Sequence, residues 1–215
     1  MSFGEIEFST LERSAGIFIV FEGGDGAGKS TQIEKLAKYL SQQNKEVVVT
    51  REPGGTVMGR SIRDWLLEQT EVEVDPKTEA LLFAADRAHH MHALIKPALD
   101  SDQIVICDRH IDSSIAYQGV ARNLGIENIK NISLWAVNGI TPDLVVVLDI
   151  SVAAGQSRLN RKDRLDRESV EFHEKVNQAY LELAKLNPDK YLVVDAELSI
   201  DEIFEKIKDR VAGLI

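Results

Sequence analysis

The stretch FEGGDGAGKSTQ, residues 21–32, follows an apolar run and leads into a helical pattern, and its reading decides the fold. Gly23, Gly24, Gly26 and Gly28 crowd into it. Inside a helix or strand each glycine costs roughly 0.5–1 kcal/mol relative to alanine, so such a cluster belongs to a loop that uses the freedom. The spacing Gly23-x-x-x-x-Gly28-Lys29-Ser30 is that of a P-loop, and it lies between a strand pattern and a helix pattern, the context the motif requires. Glycines let successive backbone N–H groups turn inward and approach a polyphosphate, and the following helix adds the positive end of its dipole. Lys29 is placed to bridge the β- and γ-phosphates, and Ser30 to ligate Mg²⁺. The motif reads a nucleoside triphosphate without saying what becomes of it.

Outward from this loop, short apolar runs recur: GIFIVFE (16–22), EVVVT (46–50), QIVICD (103–108), DLVVVLD (143–149) and KYLVVD (190–195). They are continuously apolar rather than alternating, which suits parallel strands covered on both faces. Helical patterns lie between them. The last has Ile200, Ile203, Phe204, Ile207, Val211 and Leu214 on one face, with Ser199 and Glu202 as a capping box. Asp75-Pro76 starts another helix that runs towards Pro97, with aspartate as cap and proline in the first turn. The expectation is an α/β fold of three layers, α/β/α, of the P-loop NTPase type: a five-stranded parallel sheet flanked by helices. Its active face lies at the carboxyl ends of the strands.

The 215 residues, 44% apolar and 28% charged, suffice for one sizeable core. No repeat or linker divides them, so residues 16–215 read as one P-loop domain. Residues 1–15 read as a short flexible extension without the features of a secretory signal. Net charge is −10, so the average field repels phosphate and argues against nucleic acid or an acidic membrane surface as partner. Any anion must be met by local arginines or backbone N–H groups. The lone cysteine, Cys107, excludes an intrachain disulfide and reads as a small core hydrophobe. A cytoplasmic protein is expected.

Three classes use such a loop. A switch GTPase carries Asn-Lys-x-Asp, but the Asn44-Lys45 pair is followed by Glu46 and Val47. A motor ATPase ends an apolar strand in Asp-Glu, whereas Asp149 is followed by Ile150 and Asp108 by Arg109. A basic residue beside a metal-side carboxylate makes sense where a second anionic substrate lies, which favours a small-molecule kinase. TREPGGT (50–56) ends the second apolar run, and Arg63 on the next helix and Arg109 could both reach an acceptor's phosphate. Phe83 and Arg87, four apart, share a helix face and could stack on a base and read its edge; a core Phe and a surface Arg is the other account.

Together, FEGGDGAGKSTQ, REPGGT, LLFAADRAHH, CDRHIDSSIAYQG, PDLVVVLD and RLDRESVEFHEKV resemble the thymidylate kinase family, nucleoside monophosphate kinases that make dTDP from dTMP and ATP. They span about residues 17–210 in the family's order, and DRH…SSIAYQG joined to REPGGT is the specific part. The resemblance implies ATP as donor on Gly23, Gly24, Asp25, Gly26, Ala27, Gly28, Lys29, Ser30 and Thr31, with Mg²⁺ held by Ser30 and by Asp108 in preference to Asp149. It implies Asp25 at the acceptor's 3′-hydroxyl and Phe83 stacked on thymine, with Arg87 and Gln118 at its polar edge. Arg63 and Arg109 would hold the acceptor phosphate, and Tyr117 would crowd the sugar's 2′ position. Glu52, Pro53, Ser113 and Ser114 complete the acceptor side.

RLNRKDR (158–164) resembles the family's lid, here about residues 157–167. Gly26 matches the branch whose lid supplies the cations, so Arg158 is expected near the donor, and Arg161 and Arg164 join Lys29, Arg109 and Asp108 as catalytic candidates. The family also implies a homodimer, and Trp135 suits core or interface equally. Rival readings are another pyrimidine or broad monophosphate kinase, or an NTP-dependent regulatory protein. His89, His90 and His92 lack the acidic or Cys partner of a helical metal set, and His110 carries no assigned chemistry.

Overall fold

The computed structural model describes residues 15–68, 73–159 and 163–215. The extension before Ala15 and the lid residue Arg161 lie outside the described residues. Five parallel strands form one sheet: β1 (Ile17–Gly23), β2 (Val47–Arg51), β3 (Ile104–Asp108), β4 (Leu144–Asp149) and β5 (Tyr191–Asp195), in the order β2-β3-β1-β4-β5. Each strand matches a run expected from the sequence to within one residue. β1 is central, with Phe21 opposite Asp108 of β3 and Gly23 opposite Leu148 of β4. The loop that leaves β1 is therefore flanked by the carboxyl ends of both neighbours.

The connecting helices are α1 (Lys29–Gln42), α2 (Val57–Arg63), α3 (Pro76–His90), α4 (Lys96–Asp100), α5 (Ile111–Ser114), α6 (Ile126–Ala136), α7 (Val152–Ser157), α8 (Val170–Leu186) and α9 (Ile200–Ala212). Wider, π-type turns continue α2 through Glu68 and α5 through Ala121, and they join α3 to α4 over Met91–Ile95. The chain thus stays helical past Pro97, further than the proline suggested. Pro97 falls in the first turn of α4, after the wide turns, where a missing N–H is tolerated.

Side chains of β1 alternate between two apolar layers. Ile19 and Phe21 pack with Leu36 and Leu40 of α1 and Ile203, Ile207 and Val211 of α9. Phe18 and Val20 face Met91, Ile95 and Ile111. Both sheet faces are covered, as the unbroken apolar runs required. Cys107 is buried in the second layer, where burial pushes its thiol well up.

Local signals formed as the sequence implied. The Asp75 carboxylate accepts from the N–H groups of Lys77 and Thr78. Ser199 Oγ accepts from Glu202 N, and the Glu202 carboxylate accepts in return from Ser199 N. These caps satisfy donors that a helix start leaves unpaired. Ser199→Ala should lower stability by about 1 kcal/mol without touching the active face. Urea unfolding of the variant checks this, and an unchanged midpoint would show that the reciprocal pair contributes nothing.

Candidate active site

The glycine-rich loop holds its shape by close approach as well as by its turns. Gly26 has φ +79°, and a Cβ there would sit 2.2 Å from the carbonyl oxygen of Gly155 on α7. A Cβ on Gly155 would sit 2.5 Å from the Asp25 carbonyl oxygen. Two backbones touch here, so only glycine fits either position. Lys29 opens α1 with its ammonium folded back onto the carbonyls of Gly23 and Gly24, at 2.9 Å each. Burial and the nearby Arg109 lower its pKa, against the pull of Asp25, Asp108 and Glu22. Ser30 and Thr31 are exposed in the first turn. Arg158, just after α7, donates towards the carbonyls of Gly26 and Ala196 at 3.4 and 3.2 Å, which sets it against the loop.

Arg109 reaches this loop from β3. Its φ of +69° is a left-handed conformation that side chains of L-residues rarely adopt, at a cost of order 1–3 kcal/mol. The turn is held by Arg109 N donating to the Phe21 carbonyl at 2.9 Å. The guanidinium meets the Asp25 carboxylate at 2.5 Å and donates to Ser113 Oγ at 3.1 Å and to the Tyr180 hydroxyl at 2.9 Å. Tyr117 donates to the other Asp25 oxygen at 3.1 Å, and Arg109 lies over its ring. Burial opposes the Asp25 charge, but Arg109 and Lys29 outweigh it and hold the carboxyl well below the usual range.

Next to Asp25 opens a cavity, and every acceptor-side candidate lines it: Asp25, Glu52, Pro53, Arg63, Phe83, Arg87, Arg109, Ser113, Ser114, Tyr117 and Gln118. Leu67, His110, Asp163 and Leu165 line it too, and none of these was expected. Arg63 donates to the Pro53 carbonyl at 3.0 Å. Arg87 is no surface arginine: it is 1% exposed, ion-paired to Glu52 at 2.8 Å. It also donates to Ser114 Oγ, Ser133 Oγ and the His110 carbonyl. Most of its donors are thus committed to fixing the cavity wall. Glu52 also faces His90, which bridges it to Thr50. Burial works against the Glu52 charge, but His110, Arg87 and His90 bring its pKa down to about 2. His90 is therefore a framework group, His92 is exposed, and His110 is buried and held neutral, its pKa lowered by burial to about 4.

Of the two metal-side carboxylates, Asp108 lies within the field of Lys29, whereas Asp149 feels Asp195 and Glu197 at the β5 side. Asp108 Oδ1 is buried without a hydrogen-bond partner among the described residues, which leaves it open to a cation. The donor set fits a hard divalent ion.

Arg164, expected among the lid cations, is already paired in this structure. Its Nε donates to the Leu66 carbonyl at 2.7 Å, and its guanidinium pairs with the fully buried Glu79 at 2.6 Å. Removing a guanidinium from a buried carboxylate is costly, so this pairing ties the chain at Arg164 to Glu79.

Glu22, Glu79 and Tyr180 went unnoticed in the sequence because nothing in their spacing marks them. Glu22 is 0% exposed at the end of β1 and accepts from His110 N, Ser113 N and Ser113 Oγ, at 2.8, 3.2 and 2.6 Å. It sets the strand-to-helix turn that carries Arg109 and Ser113. Complete burial, reinforced by Asp112, pushes its pKa from 4.5 up to about 7, although Arg109, Ser113 and His110 pull the other way. Between those values the folded state holds a proton that the unfolded chain releases, so the stability that Glu22 contributes is lost as pH rises. Unfolding free energies of wild type and Glu22→Gln, measured from pH 4.5 to 8, should converge or cross as wild type loses ground towards pH 7. Parallel pH profiles would show that Glu22 titrates normally.

The thymidylate kinase family model matches residues 21–207. The chain is 48% identical over 204 residues to the thymidylate kinase of Clavibacter michiganensis, covering 93% of this chain and 96% of that one. Against the thymidylate kinase of Halothermothrix orenii identity is 47% over 206 residues, covering 93% and 98%. The crystal structure of thymidylate kinase from Ehrlichia chaffeensis superposes with a TM-score of 0.75 at 33% identity, covering 91% of this chain and 98% of that chain.

Proposed function

The chain belongs to the thymidylate kinase family, whose reaction moves a phosphoryl group from ATP to dTMP to give dTDP, and we propose how its residues divide that work. The loop Gly23–Ser30 holds ATP, and the cavity around Phe83 and Arg109 holds dTMP. One observation carries the assignment: donor loop and acceptor cavity share Asp25, where Arg109 crosses between them.

The acceptor is a phosphate monoester, largely a dianion at pH 7, so its oxygen needs no general base. The protein has to align two anions that repel and to neutralise charge on the migrating group. Lys29 swings from the Gly23 and Gly24 carbonyls to the donor's terminal phosphates. Arg63 and Arg109 hold the acceptor phosphate, and Arg109 faces the transfer line. Phe83 stacks on thymine. Asp25 and Tyr117 meet the deoxyribose, where the phenol ring leaves little space for a 2′-hydroxyl. Ser30 and Asp108 would hold Mg²⁺, which when bound would supply positive charge to the phosphates.

Two further readings follow from the surface. Val57, Met58, Trp65, Leu81 and Trp135 are between 51% and 76% exposed, on α2, its continuation, α3 and α6, and α3 packs against both of the others. An apolar surface of this kind supports a homodimer, and a monomer in sedimentation equilibrium would remove that reading. Among the described residues no helix is long and apolar enough to cross a membrane, which together with the buried free thiol of Cys107 supports a cytoplasmic location.

A panel of dTMP, dUMP, dCMP, AMP and GMP with Mg-ATP, followed by ADP release, tests the activity; even, low turnover on all five would point to a regulatory protein instead. Lys29→Ala should lower kcat by about 10²-fold or more with a much smaller change in ATP binding. Wild-type turnover in that variant would take Lys29 out of the mechanism. Phe83→Ala should raise the KM for dTMP roughly tenfold, through lost base stacking. An unchanged KM would make Phe83 a packing residue.

A further inference from the structure

Glu79 lies behind the acceptor cavity rather than in its lining, yet it is 0% exposed and fully engaged. One of its oxygens accepts from Gln118 Nε2 at 2.8 Å and from Arg122 Nε at 3.3 Å. The other accepts from Arg164 at 2.6 Å and Arg122 at 3.3 Å. Facing two guanidiniums, the group fits as a carboxylate, which only accepts hydrogen bonds. The Gln118 amide must therefore turn its NH₂ end inward, and Gln118 is itself only 1% exposed and lines the cavity. What the amide offers the cavity is Oε1, an acceptor. Without such a partner a glutamine could present either end.

We infer that Glu79 is a positioning residue for base selection: by fixing which end of the Gln118 amide faces the cavity, it selects a pyrimidine whose ring nitrogen carries a hydrogen. This rests on the proposed placement of the acceptor base beside Gln118. Thymine and uracil carry that N3–H. Cytosine has a lone pair on N3 instead, and against Oε1 it leaves two acceptors facing each other in a buried site. A pocket that must leave polar groups unpaired discriminates far more strongly than one that merely loses a contact. Arg122 and Arg164 have a supporting part, since they hold the carboxylate in place, and Arg164 ties the segment bearing Asp163 and Leu165 against the same cavity.

The test compares kcat/KM for dTMP and dCMP in wild type, Glu79→Gln and Glu79→Asp. Glu79→Gln frees the Gln118 amide to turn, and Glu79→Asp keeps a charge for the arginines while retracting it from Gln118. Should the first variant not fold, the second carries the comparison. In both, the dTMP-to-dCMP ratio should fall about tenfold, the scale of one buried hydrogen bond. A role in folding alone would lower both substrates together and leave the ratio where it was, which would overturn the inference. N3-methyl-dTMP separates this from the underlying placement. Wild type should bind it at least tenfold more weakly than dTMP; equal binding would show that the base does not meet Gln118 and would overturn both readings. Rejection of the methylated nucleotide by wild type, with unaltered ratios in the variants, would overturn the role of Glu79 alone.

Discussion

A guanidinium and a carboxylate from different strand ends, Arg109 and Asp25, meet at 2.5 Å, and the two halves of the site are joined by that contact. Asp25 belongs to the glycine loop and Arg109 to the end of β3, so the pair needs β1 and β3 side by side in the register that sets Phe21 against Asp108. It also needs the left-handed turn at Arg109, which directs the side chain across the strand ends instead of along its own strand. Much of the surrounding polar structure serves this geometry: Ser113 and Tyr180 hold the guanidinium, and Glu22 holds the turn. The strained backbone is offset by these bonds.

The molecule carries a net charge of −10 yet has to receive two polyanions. It does so by layering charge. Cations and backbone N–H groups face the cavity and the loop, and carboxylates are set against them, Asp25 and Glu52 within the lining itself and Glu22 and Glu79 one layer behind. Glu52 backs Arg87, Glu79 backs Gln118 and the Arg122–Arg164 pair, and Glu22 backs the loop bearing Arg109. A buried carboxylate is tolerable only where donors surround it, and each of these has at least two. The arrangement keeps arginines in fixed orientations before any ligand arrives, which is what alignment of two repelling phosphates demands.

The same layering explains why the arginines of one short stretch separate. Arg158 and Arg164 are six residues apart in a basic segment, and by composition they are equivalent. In the fold one leans on carbonyls of the glycine loop, and the other is drawn inward by Glu79, more than eighty residues away in the chain. A cation run on a surface strand of chain is sorted by the buried anions it passes.

The sequence by itself determined the sheet, the glycine loop, the caps at Asp75 and Ser199, and most of the residues that line the cavity beside Asp25, though not Leu67, His110, Asp163 or Leu165. These depend on local periodicity, on spacing within a few residues, or on motifs whose order along the chain is informative. Spacing could not separate Asp108 from Asp149, both ending apolar strands; only the tertiary structure shows that they lie in different fields, Asp108 near Lys29 and Asp149 near Asp195. Nor could it show that Arg87 is buried, that Arg164 pairs with Glu79, that Trp135 is exposed, or that Glu22 and Glu79 are fully buried among donors. Burial and pairing of charges are properties of chain segments brought together from far apart, and a residue's own neighbours in sequence carry no record of them.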